Sequence, residues 1–83
     1  MDLRVNFPDG SVSLVPADAA VEVARGLWNR FEQPGAITAA ALIEAGMRVP
    51  EGTGRITLDQ AQADAVWSVL DSAQHLRAAI RRR

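Results

Sequence analysis

The chain contains no cysteine and a single histidine. Without cysteine there is no disulfide framework, no thiolate nucleophile and no thiolate zinc site. One histidine cannot form a histidine cluster, so neither metal nor cofactor is expected. Lysine is absent as well: all nine basic residues are arginine. Together with fifteen alanines, this composition fits a G+C-rich bacterial genome, or a phage that grows in one. Selection against lysine is the sharper and less economical reading. No apolar run approaches the roughly 18 to 20 residues that a membrane span needs. The start Met1-Asp2-Leu3-Arg4 has none of the features of a signal peptide, which leads to the expectation of a soluble, cytoplasmic protein with no membrane partner. Charge of one sign is also missing. Nine basic and ten acidic side chains give a net charge of −1, so no global field draws in nucleic acid or anionic lipid.

What remains is globular. Eighty-three residues, 48% apolar and 23% charged, make one small domain. Leu3, Val5 and Phe7 alternate with Arg4 and Asn6, the period of a half-buried strand. Pro8-Asp9-Gly10 supplies turn chemistry, and Val12 and Leu14 resume the alternation, so residues 2–15 read as an antiparallel hairpin. A helix over 17–32 follows, with Ala20, Ala24, Leu27, Trp28 and Phe31 on one stripe, stopped by Gln33-Pro34-Gly35. A short helix over 36–46 ends with Gly46 as its cap, and 47–54 reads as a loop. A strand at 55–58 presents Ile56 and Leu58 to one face. Asp59, with Gln62 at capping-box spacing, opens a last helix that runs to residue 81. The expected fold is α+β: a small antiparallel or mixed three-stranded sheet covered on one face by two longer helices plus a short helix, in the order ββααβα.

Sliding the chain by 44 residues overlays Gly10–Ala17 on Gly54–Ala61, each a short strand that feeds a helix. The overlay predicts that Val12 and Leu14 take the inward role of Ile56 and Leu58. The predicted core is Leu14, Leu27, Trp28, Ile56, Val66 and Leu70.

Chemistry finds little support. Ser68, Asp71, Ser72 and His75 share a helix face, but a convex surface offers neither cleft nor oxyanion hole. His75 and Asp71 do not close a metal site, and the loop 46–54 lacks the lysine and spacing of a phosphate-binding loop. A helix-turn-helix would have to run its recognition helix through Pro50, Gly52 and Gly54. The chain is therefore expected to be no enzyme but a small protein-interaction module, of adaptor, inhibitor or immunity type.

Partners follow from the last helix. From Asp59 to Arg81 it would span about 33 Å at 1.5 Å per residue, longer than the body it covers. Gln62, Val66, Val69, Ala73, Leu76 and Ile80 have the 4,3,4,3,4 spacing of a coiled-coil seam. Leu76 and Ile80 are then left to pack on a second copy, or on its short helix at Ile37 and Ile43, giving a homodimer. Trp67, at the edge of its stripe, is either a lid over the core or an interface anchor. Another protein is the expected further partner. The second reading is a nucleic-acid-associated regulator that contacts phosphates through Arg77, Arg81, Arg82 and Arg83, with capping of the helix C-terminus as the simpler role of those charges.

Overall fold

The computed structural model describes residues 2–49 and 54–82, with the side chains of Arg81 and Arg82 outside that description. Strand β1 (Asp2–Asn6) and strand β2 (Val12–Pro16) form the expected hairpin. Helix α1 (Ala17–Trp28) and helix α2 (Ala36–Met47) follow, then strand β3 (Arg55–Thr57) and helix α3 (Gln60–Ser72). A short helix α4 (Gln74–Ala79) and a two-residue strand β4 (Arg81–Arg82) complete the described chain. β1 is central, antiparallel to β2 and parallel to β3, and β4 extends the sheet beyond β2 in the order β3-β1-β2-β4. Helices pack on one face of this mixed sheet, and the fold is α+β as the patterning indicates.

The hairpin turns on a three-residue loop. Phe7 and Ser11 close it through Phe7 N–H to Ser11 O at 2.9 Å, and Gly10 N–H returns to Phe7 O at 3.0 Å. Asp9 fixes the turn by accepting from the Ser11 amide at 2.9 Å and from its hydroxyl at 2.6 Å. Gly10 sits at φ 89°, a left-handed conformation that an L side chain rarely adopts. An odd loop sets the register Leu3↔Val15 and Val5↔Ser13. Residues directly opposite share a face, so Val15 and Ser13 point into the core. Val12 and Leu14 are half-buried on the other face. The predicted inward pair on β2 was the wrong one, and loop parity is the cause. The overlay of the two strand–helix copies fails at the same place: Ile56 and Leu58 are buried, while their counterparts are not.

α1 buries Ala19, Ala20, Val23, Ala24 and Leu27, a stripe centred nearer Val23 than the predicted one. Trp28 falls off its edge, 44% exposed. The helix stops four residues early. Pro34 clashes with a helical Arg30 carbonyl and donates nothing to it, so residues 29–35 run as successive turns, and Phe31 is 67% exposed. Neither ring belongs to the core.

Gly46 lies inside α2 rather than capping it. A Cβ there would stand 2.6 Å from Leu3 Cδ1 and 2.9 Å from Ile56 Cγ2, so glycine lets the helix lie close against β1 and β3. Asp59 caps α3 as expected: its carboxylate accepts from Gln62 N–H at 2.8 Å, and its own amide donates to Gln62 Oε1 at 2.9 Å.

The long final helix does not form. Ala73, at φ −139° and ψ 84°, breaks it, and α4 folds back. α3 alone is about 20 Å long at 1.5 Å per residue. The body measures 33 × 24 × 23 Å, so its long axis would have accommodated the expected helix, and length is not what breaks it. Ser68 and Ser72 hydroxyls donate to the carbonyls of Asp64 and Ser68, a habit that bends helices and competes with their continuation. Folding back also buries Leu76 to 4% exposure and packs Ile80 against the core, which a projecting helix forgoes.

Candidate functional site

The residues singled out from sequence scatter. Leu76 is buried in its own core and Ile80 is half-buried against it, so the premise that these two lack an intramolecular partner is overturned. Ile43, an expected landing site on a second copy, is buried as well. Ile37 is exposed at the start of α2. Trp67 is half-buried as a lid, stacked on Phe7 with ring centroids 5.5 Å apart. The Arg77 guanidinium lies 5.8 Å from the Trp67 ring centroid and pairs with Asp71 at 2.9 Å, across the break between α3 and α4. Arg81 and Arg82 supply the backbone of β4, and Arg83 lies outside the described residues.

The polar face of α3 is divided among separate partners. Gln33 Nε2 donates to Ser68 Oγ at 3.0 Å, and Arg30 Nη2 donates to Ser72 Oγ at 2.6 Å. His75 Nε2 meets Glu22 at 2.9 Å and ties α4 to α1. These contacts hold elements together, and no serine of the group meets the imidazole. Among the described residues no group of three His, Asp or Glu side chains could hold a metal ion. No described helix is long and apolar enough to cross a membrane.

What sequence reasoning missed is a groove between α1 and α2. It is an open groove of about 580 Å³, lined among others by Val21, Arg25, Trp28, Glu44, Met47 and Arg48. Trp28 Nε1 donates to the Glu44 carboxylate, which also stands 3.9 Å from Arg48. The indole is thereby held in one orientation with its polar edge satisfied and much of its ring in solvent. Val21 is exposed as well. A signal for this was present: Val21, Arg25 and Trp28 recur at i, i+4 and i+7, a second helix face beside the buried stripe. The exposed ring of Trp28, drawn into the predicted core, belongs to the surface on this side, and Phe31, from the same predicted stripe, is exposed as well.

Comparisons with protein-family models, with curated proteins and with solved structures returned no match to this chain.

Proposed function

We propose that this chain is a small protein-interaction module, with no chemistry of its own, that pairs with a second copy across the α1–α2 groove. The observation that carries the reading is Trp28: a large ring, oriented by Glu44, beside Val21 and Met47 yet left in solvent. Exposed aromatic anchors in an apolar setting are the usual centre of a protein interface. A second copy suits the charges around it. A two-fold interface must be complementary to itself, and the rim carries both signs, with Arg25 and Arg48 basic and Glu44 acidic. A two-fold axis passing midway between Arg25 and Glu44 would set arginine against carboxylate in both halves at once.

The same reading keeps the homodimer but moves it away from Leu76 and Ile80. Light scattering of the wild-type protein at tens of micromolar should give twice the monomer mass, and Trp28→Ala/Phe31→Ala should return it to one. A wild-type monomer at that concentration rejects the pairing. A dimer unchanged in the double variant rejects the groove.

A further inference from the structure

The helices cover one face of the sheet, and the other face carries an arrangement that costs stability. The parallel register of β1 and β3 sets Arg4 directly opposite Arg55, both exposed. Adjacent strands lie about 4.8 Å apart, and like charges directly opposite repel. Neither guanidinium has a carboxylate within ion-pair distance among the described residues. One strand over, Leu14 is opposite Arg4, and Arg81 occupies the register position opposite Leu14. A single row across four strands therefore reads Arg55, Arg4, Leu14, Arg81. The row beside it, Thr57, Asn6 and Val12, adds two polar side chains, with Asn6 Nδ2 reaching Thr57 Oγ1 at 3.5 Å. Asp2 is on this face at its margin, opposite Pro16. The other acids of the elements, Asp18, Glu22, Glu44, Asp64 and Asp71, lie on helices.

We propose that the uncovered sheet face binds single-stranded nucleic acid along its phosphodiester backbone, through Arg4 and Arg55. The occupant is anionic because the register places two exposed arginines, without an ion-pair partner among the described residues, directly opposite each other on neighbouring strands. An anion between them turns repulsion into a shared contact. An acidic peptide fits less well. Peptides join sheets at their edges, through backbone pairing; here the arginines point out of the plane. A peptide laid across the face leaves its own N–H and C=O groups without sheet partners. A nucleic-acid strand carries its charge on its backbone and needs no such pairing. Guanidinium planes also serve as stacking surfaces for unpaired bases, which this face requires because it carries no aromatic ring. The inference stands on the register alone and is independent of pairing through the groove.

The test is fluorescence anisotropy with a labelled thymidine oligonucleotide of about 20 nucleotides, longer than the site of one small domain. Binding should weaken about sevenfold between about 50 and 200 mM salt, from two phosphate contacts at a slope of about 0.7 each. Arg4→Gln/Arg55→Gln should remove that salt dependence while the protein keeps its circular dichroism and unfolds at the same or a higher urea concentration. Arg4→Gln alone should remove half and serves if the double variant fails to fold. Arg30→Gln, on the helical layer and outside the groove, should bind as wild type. The proposal is overturned by no anisotropy change at about 100 µM protein in about 50 mM salt, conditions that favour even weak non-specific contacts. It is also overturned if the helical-layer variant loses as much as the sheet variant. Displacement by a glutamate homopolymer as effective as by free oligonucleotide would assign the face to acidic proteins instead.

Discussion

Leu27 and Trp28 are neighbours in sequence and opposites in role. Leu27 is fully buried beneath the sheet-facing side of α1, and Trp28 stands in the groove. Leu27→Ala should therefore cost about 2 to 5 kcal/mol in urea melts, as buried large-to-small changes do. Trp28→Ala should cost much less and show its effect on association. A Leu27→Ala loss under about half a kcal/mol would mean that the stripe is not the core. Ser13 poses the reverse case. It is 0% exposed, and its hydroxyl has no hydrogen-bond partner among the described residues. A buried polar group left unsatisfied costs about 1 to 3 kcal/mol. Ser13→Ala removes that cost and opens only a small void, so the variant should be more stable than wild type by about 1 kcal/mol. A loss of stability on the same substitution would show that the hydroxyl has a partner in solution.

Among the elements, the sequence was legible where local chemistry decides and misleading where a distant contact does. The capping box at Asp59 and Gln62, the strand at Ile56 and the alternation of Leu3, Val5 and Phe7 all formed as read. Local residues suffice for each. The face of β2 was misread because alternation is equally clean for Val12 and Leu14 or for Ser13 and Val15 taken outward, and one residue of loop length chooses between them. The continuous last helix was misread because its periodicity runs straight through Ala73; what breaks it is burial of Leu76 on strands and helices far away in sequence. The groove was missed because exposure of Trp28 depends on where α2 crosses α1. Gly46 shows how such packing outweighs propensity. Replacing a mid-helix glycine by alanine gains up to about 1 kcal/mol of helix preference. The new Cβ collides with Leu3 and with the stiff, β-branched Ile56, and overpacking costs about 1 to 3 kcal/mol. Gly46→Ala should be net destabilising by about 1 kcal/mol in thermal or urea melts. A stabilised variant would mean that α2 rides farther from the sheet.

At the scale of the whole molecule, the two ends of the chain depend on each other. β1 is the centre of the sheet, and its parallel partner β3 arrives 51 positions later, with Arg4 paired to Arg55. Arg4 N–H donates to Gly54 O at 3.0 Å, and Leu58 N–H to Asn6 O at 2.9 Å, so the pairing is tied at both ends. The buried side chains Ile56, Leu58, Val66, Val69, Leu70 and Leu76 all come from the later segment, while Leu3, Val5, Phe7, Val23, Leu27 and Ile43 come from the earlier one. They form one cluster. Neither half holds a core of its own, although each contains a strand followed by a helix. Total stability for a chain of this length is on the order of 4 to 12 kcal/mol, and a hairpin with two helices and half a core falls short of that. A fragment of residues 1–48 should show no cooperative urea transition, and the same holds for residues 54–83. Mixing the two should restore helical circular dichroism and a sigmoidal melt, because β3 can dock on β1 without a covalent connection. A cooperative melt from the first fragment alone would mean that the hairpin, α1 and α2 fold as an independent unit, with the later strand and helices added to a finished core.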